Sequence, residues 1–104
     1  MAVASESVVD IIISQLGGMN RLHAFVGAYN FVDHGGKLVF RFKGSRKWNM
    51  LEIELDEGLD LYNLRFMKYS PSKLAIVSEL EESGIYADML VEMFERVTGL
   101  YLSF

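Results

Sequence analysis

Three stretches of this chain alternate apolar and polar residues with a period of two, and only short turn-forming segments separate them. In "KLVFRF", residues 37–42, Leu38, Phe40 and Phe42 fall on one side and Val39 and Arg41 on the other. "MLEIELDE", residues 50–57, sets Leu51, Ile53 and Leu55 against Glu52, Glu54 and Asp56. "LYNLRFMK", residues 61–68, sets Tyr62, Leu64 and Phe66 against Asn63 and Arg65. Successive side chains of a strand point to opposite faces, so each stretch reads as a half-buried strand and the three together as an antiparallel meander. A one-residue slip would turn a whole apolar set to solvent, which makes register testable. Setting Phe42 opposite Leu51, Phe40 opposite Ile53 and Leu38 opposite Leu55 brings Arg41 to Glu52 and Lys37 to Asp56. In the next pair Ile53 meets Leu64 and Glu52 meets Arg65, so Arg41, Glu52 and Arg65 are expected to form one charged rung.

The flanking segments read as follows. Val9, Ile12, Ile13 and Leu16 fall at i, i+3, i+4 and i+7, Ser7 is suited to cap, and Gly17-Gly18 supplies a left-handed exit; a helix is expected over residues 6–16. From His23 the period reads as two, with Phe25, Tyr29 and Phe31 on one face of a strand that Gly27 interrupts, and Asp33-His34-Gly35-Gly36 is a turn. The only proline, Pro71, ends the third alternating strand. "KLAIVSELEE", residues 73–82, is read as a fifth strand with Leu74, Ile76 and Ser78 on one face, a short helix being the alternative. Tyr86, Leu90, Met93, Phe94 and Val97 make a helical stripe that Gly99 closes. The expected fold is α+β: a two-layer sandwich in which a four- to five-stranded antiparallel meander is flanked by an N-terminal and a C-terminal helix. At 104 residues, 51% of them apolar, one domain with one core is expected over residues 1–104.

Composition excludes several functions. There is no cysteine, hence no disulfide, thiol nucleophile or thiolate metal site. No apolar run reaches the length of a membrane span, and none follows a basic leader, so neither a membrane segment nor a secretory signal is expected. The formal charge of −4 argues against a broad basic face for duplex DNA. Its distribution is uneven: residues 1–73 hold nine Lys/Arg against eight Asp/Glu, and residues 74–104 one against six. His23 and His34 lack the spacing of a metal site, no serine sits in a nucleophile elbow, and the glycine pairs lack the setting of a phosphate loop. No catalytic residue, metal or cofactor is expected, and the chain is read as a non-enzyme.

Gly44 to Asn49, the tip between the first two alternating strands, is the best candidate for contact with a partner. Arg46, Lys47 and Trp48, with Arg41 and Arg65 on the outer sheet face, could neutralise phosphates and stack a base. The competing reading has the cations solvating a loop while Trp48 folds back as a lid. Asp88, Glu92 and Glu95 form a second, acidic surface. Tyr101, Leu102 and Phe104, together with an edge strand, could pair two copies into a homodimer.

Several short motifs extend over most of the chain: Q-L-G-G at Gln15 to Gly18, G-A-x-N-F at Gly27 to Phe31, a polar hairpin before an alternating strand, Y-A-D-x-L at Tyr86 to Leu90, and T-G-L at Thr98 to Leu100. In these the sequence resembles a family of small proteins of tailed bacteriophages and prophages. The resemblance implies a phage origin and a place in the cytoplasm of an infected bacterial host, and it carries over no catalytic residue. Where the family pattern reads M-T-G-A-K-N-F, this chain has Phe25-Val26-Gly27-Ala28-Tyr29-Asn30-Phe31. The expected function is that of a non-catalytic phage accessory protein that binds a host or phage protein. The alternative is a weak single-stranded nucleic-acid-binding module using the 44–49 tip and the outer sheet face.

Overall fold

A computed structural model describes residues 7–102. Phe104, one of the residues considered above for pairing two copies, lies outside them, as does the start of the helix expected over 6–16. The frame is a five-stranded antiparallel sheet in the order β1 (Tyr29–Asp33), β2 (Lys37–Arg41), β3 (Met50–Asp56), β4 (Leu61–Ser70) and β5 (Ala75–Ile85). Two helices, α1 (Val8–Gln15) and α2 (Met19–Val26), precede it, and a short 3-10 turn at Ala87–Met89 leads into α3 (Leu90–Thr98). The fold is therefore the expected α+β arrangement, with one more helix. Leu38, Phe40, Phe42, Leu51, Ile53, Leu64 and Phe66 point to one face, where they join Ile12, Leu16, Leu22, Leu90 and Phe94 in a single buried cluster. Burying each such side chain contributes roughly 1.5–3 kcal/mol, and that is what holds helices of eight or nine residues that would melt in isolation.

Local chemistry sets the helix ends. Ser7 Oγ accepts the Asp10 N–H at 3.1 Å, so the expected N-cap is formed. α3 ends on Gly99 in the left-handed region, and Thr98 Oγ1 both donates to the Phe94 carbonyl and accepts the Leu100 N–H. The segment read as a strand from His23 is instead α2, with Leu22 and Val26 buried at i and i+4. Gly27 at φ 63 stops it, a conformation that favours glycine, and a Cβ there would already touch the Lys43 side chain. Phe25 thus lies on α2 and not on a strand with Tyr29 and Phe31. Within β1, Asn30 at φ 55 and an irregular register between Tyr29 and Val32 interrupt the alternation.

The β3–β4 register is the expected one, with Ile53 opposite Leu64 and Glu52 opposite Arg65. The β2–β3 register differs by two residues: Phe40 faces Leu51 and Leu38 faces Ile53. The hairpin closes tighter, because the Phe42 N–H donates to the Asn49 carbonyl at 3.0 Å. A slip of two leaves every side chain on its own face, so the apolar pattern could not detect it. The expected rung loses Arg41, which faces Met50, and gains Lys37, whose Nζ lies 3.1 Å from Glu52 Oε1. β5 is a strand, the preferred reading of 73–82. Leu74, however, lies in the turn before it, and an irregularity between Ile76 and Ser78 sends those two to opposite faces.

Tyr62 ties the first helix to the sheet by donating its hydroxyl hydrogen to Gln15 Oε1 at 2.8 Å. Burial, helped by the negative charge of Asp60, raises its phenol above the ordinary value of 10.0. A raised phenol contributes stability that is complete below the unfolded value near pH 10 and fades as pH climbs through the higher folded value. Tyr62→Phe is accordingly expected to lose about 1 kcal/mol at neutral pH and to show a shallower decline in stability above pH 10 than the parent. Urea unfolding of both proteins across that range is the check; parallel declines would contradict it.

Candidate functional site

The sequence-derived candidates fall into three environments. Trp48 folds back onto the sheet: it is 9% exposed, and its ring centroid lies 6.3 Å from that of Phe66, tilted by 56°. The turn that places it is held by the Trp48 N–H donating to Ser45 Oγ at 3.3 Å. The lid reading of Trp48 is therefore the observed one, and its buried ring presents no open face for a base. Gly44, at φ 101, packs where an added Cβ would lie 3.0 Å from Leu100 Cδ2, so the tip closes directly on the segment after α3.

Arg41 and Arg65 are engaged on the outer face. The Arg41 guanidinium sits 4.8 Å from the centre of the Tyr69 ring. Arg65 reaches Glu52 at 3.9 Å and Glu79 at 3.0 Å; the shorter contact involves its buried Nε, which lies off the N–H axis and forms an ion pair without a directed hydrogen bond. Lys37 pairs with Glu52 and Glu54, and its hydrogen bond to Glu52 together with the charge of both carboxylates raises its ammonium above the ordinary 10.5. Lys37, Glu52, Glu54 and Arg65, with Asn63 and Glu81, line a polar dish of about 270 Å³. Its charges are largely spent on one another. Among the described residues no group of three or more His, Asp or Glu could hold a metal ion, and no helix is long and apolar enough to cross a membrane.

Arg46 and Lys47 remain exposed at the tip. They border a groove shared with the last turn of α3, where they face the negative end of that helix's dipole. The strand order brings further cations to the same end of the sheet: Arg41, Lys43, Arg46, Lys47, Lys68, Lys73 and Arg96 are there, seven of the ten Lys/Arg. Asp33, Asp56, Glu57, Asp60 and Asp88 lie toward the opposite end.

Beyond Asn49 the sheet narrows to the β4–β5 hairpin alone, which projects as an arm. Residues 71–79 are all exposed. The arm is braced at its root, where the Asn49 side chain donates to the Tyr69 carbonyl at 2.9 Å and accepts the Tyr69 N–H at 2.8 Å, opposite the Arg41 contact on the Tyr69 ring. Removing both bonds leaves a half-buried peptide unsatisfied, so Asn49→Ala is expected to lower stability by about 2 kcal/mol and to speed amide exchange in residues 69–76. Unchanged exchange there would show that the brace is dispensable.

At the end of the arm stands Leu74, at φ 52 and 79% exposed. A left-handed leucine costs about 1–2 kcal/mol in backbone strain, and solvent gives its side chain nothing in return. Ile76 and Val77, 40% and 46% exposed, continue the apolar surface along the outer strand. Sequence reasoning missed Leu74 and Arg96 as site residues, and it placed Asn49 in the tip without its role as the brace of the arm. An apolar residue closing "SPSKL", where glycine or asparagine is the cheap choice, is the one signal that could have flagged the first.

Compared with protein-family models, curated proteins and solved structures, the chain matches none.

Proposed function

We propose that this chain is a non-catalytic accessory protein that acts by binding another protein through the β4–β5 arm. The observation that carries this reading is Leu74: strained, apolar and exposed at the tip of a hairpin whose root is braced. Strain of this kind persists where the surrounding structure enforces it, and it concentrates at sites that clamp a ligand or partner. A rigid arm also binds at lower entropic cost than a loose one, because its side chains are already ordered. The long open edge of β5 adds unpaired backbone groups beside the apolar tip, which a partner strand can meet. The resemblance to small phage proteins supports a host or phage protein as the partner, met in the cytoplasm of an infected bacterium.

The nucleic-acid reading draws support from the cations gathered at the same end, but burial of Trp48 removes the stacking platform on which it depended. Co-purification tests the proposal. The parent chain, tagged and expressed in a bacterial host, is expected to retain a second protein in stoichiometric yield. A chain in which residues 70–75 are replaced by Asn-Gly, keeping the Tyr69–Ile76 pair as the last rung, is expected to lose it. Equal retention by both chains, or the return of the tagged chain alone, would overturn the proposal.

A further inference from the structure

Arg46 and Lys47 form a wall shared by two grooves at the cationic end of the sheet. One groove, about 370 Å³, runs past the edge of Trp48 to Lys68 and Ser78. The other, about 430 Å³, runs between the tip and the last turn of α3 to Arg96, with Val97 and Leu100 as apolar sides. Lys68, Lys47, Arg46 and Arg96 thus make one track across the end of the molecule. Among the described residues none of the four is in an ion pair, and Arg96 is held only by a contact of 3.6 Å to Met93 Sδ. In a chain with 14 Asp/Glu to ten Lys/Arg, carboxylates are not scarce; Lys37 and Arg65 each have two. The carbonyl end of α3 offsets only about half a charge, so the groove beside it stays strongly positive against Arg46, Lys47 and Arg96 together.

We infer that this track binds an acidic segment of a partner protein, with carboxylates along the four cations and an apolar side chain against Val97 and Leu100. The inference rests on the arm as the partner-binding element, which stands at the same end, and it names the partner's chemistry. A protein segment is favoured over nucleic acid because the aromatic rings near the track are taken. Trp48 is buried against Phe66, Tyr69 lies under Arg41, and Lys43 Nζ covers Tyr29 at 5.3 Å, which among the described residues near the track leaves Tyr101 open. The track is also short and mixed with apolar wall, a poor match to an extended phosphate backbone but a good one to alternating acidic and apolar residues.

The test is fluorescence anisotropy with labelled poly-L-glutamate and the full chain, with labelled oligothymidine in parallel and the emission of Trp48, the only tryptophan, reporting on its groove. Saturable binding of poly-L-glutamate is expected, weakening as salt is added and falling about tenfold or more in the Arg46→Glu, Lys47→Glu double variant. Leu59→Asn, at a residue 68% exposed at the opposite end of the sheet, is expected to leave it unchanged. Because the probe offers no apolar side chain to the arm, failure here and failure of the arm in co-purification can be told apart. Both reversed residues are exposed, and an unaltered Trp48 spectrum verifies that the variant folds. No saturable binding, tighter binding of oligothymidine, or indifference to the charge reversal would overturn the inference. So would salt-reversible self-association by sedimentation, which would assign the track to the acidic end of a second copy.

Discussion

Trp48→Ala is expected to lower stability by about 3–5 kcal/mol, a large part of the 5–15 kcal/mol that typically separates folded from unfolded states. The indole closes the core at the end of the sheet where the helices stop, and its removal opens Phe66 and the start of β3 to water. The loss combines the transfer energy of the ring with the cavity left behind, since Phe66 is fully buried and cannot relax far into the gap. Trp48→Phe, which keeps most of the apolar area, is expected to cost less than half as much. Urea unfolding followed by far-UV circular dichroism measures both. If alanine left the midpoint unchanged, Trp48 would be a surface residue and the tip a free platform, contrary to the geometry.

The second large effect separates stability from function. Leu74→Asn replaces a residue that resists the left-handed region with one that tolerates it, so the variant is expected to be about 1 kcal/mol more stable than the parent. The same change removes the apolar tip of the arm. If Leu74 anchors a partner, its loss is expected to weaken binding on the order of thirtyfold, the effect of losing one 2 kcal/mol hot spot. A variant that folds better and binds worse cannot be explained by damage to the structure. A fall in stability would mean that the native turn needs leucine for packing, and the strain argument would fail.

Where the sequence could be read, the reason was periodicity. β2, β3 and β4 alternate cleanly, so their buried faces and the β3–β4 register followed from the pattern, as did the α3 stripe from Leu90 onward. Tyr86, read as the first member of that stripe, is 60% exposed ahead of the helix, and β5 is a strand whose expected alternation breaks between Ile76 and Ser78. The β2–β3 pairing was set two residues off because such a slip preserves every face, and only the Phe42–Asn49 bond distinguishes the two closures. α2 went unread because eight residues with two buried anchors, Leu22 and Val26, carry little periodic signal, and Phe25 chanced to alternate with Tyr29 and Phe31. The tip divided in the same way. Its cations were plain in the sequence, but whether Trp48 turned in or out depended on the space above Phe66, and the groove with Arg96 on contact between segments some fifty residues apart. Leu74 escaped notice because the rules of turn chemistry place a different residue there, and positions that break local rules are where function is expected to lie.

The arm can be examined directly in cells. A photocrosslinking amino acid placed at position 74 is expected to form one discrete adduct with a protein other than the chain itself. The same residue at position 59, where Leu59 is 68% exposed in the turn at the opposite end of the sheet, is expected to form none. Equal crosslinking from both positions, adducts only between copies of the chain, or no adduct from position 74 would contradict the account of the β4–β5 arm as the partner-binding element.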